Sequence, residues 1–186
     1  MRLLSPFIPF TGEHLWKELA GEGLVSFAPW PVADKKLISP RVELSEELLS
    51  RTVEDIESIM KLIQITPKAI TIALAPEWKH NIFRTIAQSA DRNTVIKEIM
   101  KDNSMKKRGK EATDAARQCT TLIHRLPPQV VAPLALEPVN EHAVFEAAKT
   151  FLEQVFGVPV HITDAESGIH VKAATALPFK PAIIIE

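Results

Sequence analysis

The placement of proline constrains this chain more than any other feature. Proline fixes φ and carries no N–H, so it stops a ladder or a helix interior and is tolerated only at a first helical turn. Fourteen prolines fall within 186 residues. Pro6 and Pro9 break the opening apolar run, and Pro29, Pro31 and Pro40 bracket a loop. Pro67 and Pro76 bound a short apolar stretch, while Pro127, Pro128, Pro133, Pro138, Pro159, Pro178 and Pro181 punctuate the second half. No segment between them approaches the roughly 20 apolar residues that span a bilayer. The opening residues offer no small-residue cleavage site of the kind a signal peptide needs. The single cysteine, Cys119, excludes an intrachain disulfide framework and suits a reducing compartment. The chain reads as soluble and cytoplasmic, with no membrane partner.

Periodicity then assigns the segments. Thr11 is a candidate cap for a helix over 12–19 that gathers Leu15, Trp16 and Leu19 on one face. Residues 25–31 read as an extended, aromatic-bearing loop. A long helix is expected over 42–64, with Leu49, Val53, Ile56, Met60 and Ile63 stepping by four and three into a packing seam. Two helices cannot enclose a core, so this first part, residues 1–66, reads as a partial helical bundle expecting partners outside the chain. Beyond it the period falls to two. Residues 69–74 predict a buried strand, followed by a helix with Trp78, Ile82 and Ile86 on one stripe. A short helix over 94–101, a basic connection over 101–110 and a helix over 111–126 come next. Residues 129–136 suit a short irregular strand. Asn140 caps a helix over 141–156 that Gly157 terminates, and strands are expected over 158–163 and 182–186. Residues 67–186 are therefore a small mixed α/β domain, and the whole chain is of the α+β class.

Several chemistries are missing. None of the six glycines forms GxGxxG or GxxxxGK[ST], so no phosphate-cradling loop is present. The six histidines lack HExxH spacing, and one cysteine cannot build a structural zinc site. No metal site, catalytic residue or cofactor is assigned. Cys119, on an apolar helix stripe, reads as a buried small hydrophobe.

The clearest local signal is positive charge. Between residues 97 and 110, Lys97, Lys101, Lys106, Lys107, Arg108 and Lys110 stand against Glu98 and Asp102, a local charge of +4 in a chain whose net charge is -1. Such a patch can hold a phosphate backbone; most charge runs, however, are simply solvated loops. Lys172 and Lys180, near the last strand, are the remaining candidates.

Two stretches carry a resemblance. The opening LLSPFIPFTGEHLW (residues 3–16), followed by SFAPWP (26–31), resembles the helical bundle after the catalytic domain of class I aminoacyl-tRNA synthetases. TVEDIESIMKLI (52–63), APEWK (75–79) and ALPFKPAIIIE (176–186) look like archaeal- and eukaryotic-type leucyl-tRNA synthetases. The resemblance implies an anticodon-binding-type bundle and a tRNA-binding domain at the carboxy-terminal end of such an enzyme. It further implies tRNA-Leu and the remaining synthetase domains as partners, the RNA held by its body and long variable arm. ATP and Mg would serve the parent ligase in domains this chain lacks. It also implies a glycine where this chain has Phe179. The competing readings are a protein-interaction domain that docks through the 49–63 seam, a stand-alone RNA-binding module, and a free-standing enzyme.

Overall fold

The computed structural model describes residues 1–64, 67–89, 95, 99, 102–137, 139–168 and 170–186. Among them are seven α-helices and one three-stranded mixed sheet, the α+β class expected. By packing, the chain divides into Met1–Ser39 and Pro40–Glu186, well ahead of residue 66.

The first unit is built around α1 (Pro9–Glu18). Thr11 does not cap it, because Pro9 takes the first turn, where a missing N–H costs nothing. Gly12 is buried, and a Cβ there would meet the Ser5 backbone at 3.3 Å. Leu15 and Leu19 are exposed, and of the expected apolar face Trp16 is half-buried. The Glu13 carboxylate accepts from Val25 N (2.8 Å), Ser26 N (3.1 Å) and the Ser26 hydroxyl, folding residues 25–27 into a 3-10 turn where extended chain was expected. Those bonds to the ionised form, the Ser26 hydroxyl foremost, hold Glu13 below the usual carboxylate range. The Trp16 indole lies over Gly21, where any Cβ would overlap the ring, and its N–H reaches Glu22 O at 3.3 Å. The Glu–x–x–Trp spacing of the opening motif is thus a local folding device. Trp30 stands 63% exposed.

The second unit centres on β1 (Ile70–Leu74), all five residues buried, with β2 (Val160–Asp164) parallel on one side and β3 (Ala182–Ile185) antiparallel on the other. Ile72 sits opposite both Ile162 and Ile183. Alternation divides the strand. Ile70, Ile72 and Leu74 enter the large core, whereas Ala73 and Ala75 join Ala173, Ala176, Ala182 and Ile184 in a small cluster. A 3-10 turn, Val171–Thr175, contributes to that second cluster, and alanines suit so thin a cover.

The helices are α2 (Pro40–Ile63), α3 (Glu77–Gln88), α4 (Asn103–Arg108), α5 (Lys110–Arg125), α6 (Pro128–Leu136) and α7 (Glu141–Phe156). In α2 the buried stripe is Leu44, Leu48, Thr52 and Ile56, one position off the expected seam. Leu49, Val53 and Met60 are its half-buried shoulder, and Ile63 is exposed. The stripe packs on α6, α7 and β3, so the covering expected from outside the chain comes instead from its own α/β half. That removes the basis for a protein-docking seam.

Two more expectations change. The basic connection is largely helical, because Met105 is buried and anchors α4 to the core. Residues 129–136 are helical as well. Pro128 occupies the first turn, Val131, Leu134 and Ala135 share one buried face, and Pro133 is accommodated inside. The short helix expected over 94–101 falls mostly outside the described residues, although Val95 and Ile99 are helical and buried. At α7 the outcome matches: the Asn140 side chain accepts Ala143 N at 3.1 Å, and Gly157 closes the helix at φ 69°.

Candidate nucleic-acid interface

The basic corner is made by the break between α4 and α5. Gly109, at φ 49°, separates the two helices, and positive φ favours a residue without Cβ. Because Met105 points inward, Lys106 and Lys107 are left in water; Lys110 is exposed at the start of α5. A lysine at a helix N-terminus opposes the helix dipole, so Lys110 does not serve α5 itself. Among the described residues none of these three lysines makes an ion pair.

Arg108 differs. Its guanidinium lies 4.6 Å from the Trp78 ring centroid, 2.9 Å from Glu166 and 4.0 Å from Glu111. The Trp78 indole N–H donates to the same Glu166 carboxylate at 2.9 Å. Trp78 packs against the main core as expected, and its half-buried ring also edges a cleft of about 450 Å³ lined by Lys79, Arg108, Glu111, Asp114, Gln118 and Glu166. Lys79 is the buried member of α3, on a stripe with Ile82, Phe83 and Ile86. Its ammonium donates to Ala174 O (2.6 Å) and Ala176 O (2.7 Å), tying α3 to the turn over the sheet. Burial holds its pKa below the ordinary lysine value. Its i, i+3, i+4, i+7 spacing with those apolar residues is the signal by which sequence could have found this position, and charge alone passes over it.

The other candidates lie apart. Lys172 is exposed within Val171–Thr175, the turn that Lys79 fastens, so it borders the same region as α4. Lys180 belongs to a separate groove of about 380 Å³, with Arg51, Arg125, Glu47, Glu54 and Asp55. Arg51 and Arg125 were not foreseen; Arg51 is already answered by Glu47 at 2.6 Å. Lys97 and Lys101 lie outside the described residues.

Cys119 and His80 are chemically quiet. Burial pushes the Cys119 thiol up to about 12, which keeps it from acting as a nucleophile. His80 Nε2 lies 3.8 Å from Glu141, but burial lowers its pKa, so this is not an ion pair near neutral pH. Among the described residues no three His, Cys, Asp or Glu side chains are arranged to hold a metal ion, and no helix is long and apolar enough to cross a membrane.

Comparison with known proteins agrees with the motifs. The family described as the anticodon-binding domain of tRNA ligase matches residues 1–75. The leucine–tRNA ligase of Pyrococcus abyssi is 33% identical over 189 residues, covering 100% of this chain and 18% of the relative. That of Methanocaldococcus jannaschii is 35% identical over 190 residues, covering 100% and 19%. That of Aeropyrum pernix is 32% identical over 184 residues, covering 99% and 19%. The chain spans about a fifth of the length of the curated relatives it matches. With both the opening and the terminal motifs inside it, the similarity to archaeal leucine–tRNA ligases runs along the whole of this chain, and its first 75 residues match the anticodon-binding domain of tRNA ligase.

Proposed function

We propose that this chain is the tRNA-holding, carboxy-terminal region of a leucine–tRNA ligase, docking tRNA-Leu by its body and long variable arm. Leucylation, with its ATP and magnesium, would be carried out by domains outside the matched fifth; the described residues offer no carboxylate cluster suited to magnesium. In this reading residues 1–66 are the end of an anticodon-binding-type bundle and residues 67–186 the tRNA-binding α/β domain. The exposed apolar side chains of the first unit, such as Phe10 at 90% and Val32 at 91%, support a bundle completed by other synthetase domains.

The observation that carries the reading is the corner of Lys106, Lys107 and Lys110, three solvated cations at a helical break in a chain of net charge -1. Localised charge of this kind grips phosphates without base readout. Arg108, Lys172 and Lys180, with Lys97 and Lys101, complete the proposed backbone contacts.

The test is a salt-dependent gel shift with a leucine tRNA transcript and with the same transcript lacking its variable arm. The intact RNA should bind more tightly. Replacing Lys106, Lys107 and Lys110 together by alanine should weaken binding and flatten the salt slope, by about 0.9 for each phosphate no longer neutralised. Equal binding of both transcripts would refute recognition of the arm, and an unaltered salt slope would refute the corner.

A further inference from the structure

We propose that Arg108 is a latched RNA contact, held against Glu166 over the Trp78 indole in the free protein and released to a phosphate when RNA docks. The inference rests on the RNA-holding reading above and adds an autoinhibitory contact to that surface.

Arg108 sits inside the basic corner, yet among the described cations there it is the one whose charge is answered within the chain, by Glu166 at 2.9 Å and Glu111 at 4.0 Å. Both members of the closer pair are open to water, their side chains 36% and 53% exposed. Exposed ion pairs are weak, whereas a guanidinium meets a phosphate with two parallel, charge-assisted hydrogen bonds. The exchange is therefore downhill once a phosphate is near.

Geometry gives the exchange a direction. The cleft behind Arg108 is lined by Glu111, Asp114 and Glu166, so a phosphate cannot follow the guanidinium inward and Arg108 must swing outward. Its backbone can stay in place, because Met105 anchors α4. The post it leaves also stays in place. Glu166 remains bonded to the Trp78 N–H at 2.9 Å, and the Lys79 ammonium, fixed by two carbonyls, stays 5.5 Å from the indole centroid. A purely structural strut between α4 and the segment after β2 would behave in the opposite way, since removing its carboxylate could only loosen the site.

The experiment compares the intact chain with Glu166→Gln, Arg108→Gln and the double variant, by anisotropy with a leucine tRNA transcript over a salt series. Glutamine retains an acceptor for Trp78 and removes the charge. Glu166→Gln should tighten binding several-fold and steepen the salt slope by about one unit or less. Arg108→Gln should weaken binding, and the double variant should lack the gain. In a Trp16→Phe, Trp30→Phe background, Trp78 emission should change on RNA binding as the guanidinium leaves the ring. Glu166→Gln binding no better than wild type, while wild type binds, overturns the latch alone. Should Glu166→Gln fail to fold, unchanged Trp78 emission on RNA binding to the tryptophan-reduced chain overturns it. Absence of binding by wild type overturns both the latch and the RNA-holding reading.

Discussion

Phe179 stands where L residues are strained. Leu177 and Lys180 exchange two backbone hydrogen bonds of 2.9 Å, leaving Pro178 and Phe179 as the central pair of a tight turn, with Phe179 at φ 62°. Proline followed by positive φ is the pattern of a type II turn, which favours glycine second; the glycine implied by resemblance has that physical reason. Phenylalanine is kept because its ring is buried in the main core and its N–H donates to Glu141 Oε1 at 2.6 Å. Left-handed backbone costs about 1–2 kcal/mol, and deleting a buried ring costs about 3–5 kcal/mol. Phe179→Ala should therefore destabilise more than Phe179→Gly, by about 1 kcal/mol in urea unfolding, reversing the usual order of the two residues. Glu141 yields a second test. Burial raises its pKa to about 7, opposed by the Phe179 N–H, and its other oxygen is buried without a partner among the described residues. The folded state thus holds a proton that the unfolded chain releases near 4.5. Stability from this group is complete below pH 4.5 and is lost as pH rises through 7, on the order of 3 kcal/mol in all. Glu141→Gln should remove that slope and exceed wild type in stability at about pH 8, as measured by denaturant unfolding across roughly pH 4.5–8.

At the scale of elements, α2 separates what a pattern can and cannot tell. Its length and helical state follow from the four–three spacing, but Leu48 and Leu49 both fit that spacing, and only the packing partner selects between them. Leu48 is fully buried and Leu49 half-buried, so Leu48→Ala should cost about 2–5 kcal/mol and Leu49→Ala distinctly less in the same unfolding assay. The segment Pro128–Leu136 shows the other limit. Nine mostly apolar residues carry no decisive period, and β-branched valines point toward a strand. The core stripes of α2 and α3, with which α6 packs, select the helix. By contrast α7 was legible because its cap, its stripe and its terminating glycine are all local chemistry.

For the whole molecule, the resemblance was readable from motifs at the two ends, the fold class from hydrophobic periodicity, and the exposed lysines from charge alone. What sequence did not disclose is that Arg108 is engaged with residues 30 and 58 positions away, Trp78 and Glu166, and that Lys79 is spent inside the protein. Charge pattern is local, whereas pairing is set by which elements the topology brings together. The family match likewise runs over residues 1–75, whereas packing divides the chain between Ser39 and Pro40, because burial of an apolar stripe ignores the borders of descent.

The sheet has one further consequence, for how such a chain is made. Its middle strand, Ile70–Leu74, is wholly apolar apart from one threonine, and it pairs with residues 160–164 and 182–185. During ribosomal synthesis that strand emerges about a hundred residues before either neighbour exists, with both hydrogen-bonding edges open. Non-local pairing is slow, and unpaired apolar edges invite association between nascent chains. The segment therefore stays open to such association until residues 160–164 and 182–185 have left the exit tunnel, unless early helices of the same chain or a chaperone cover it.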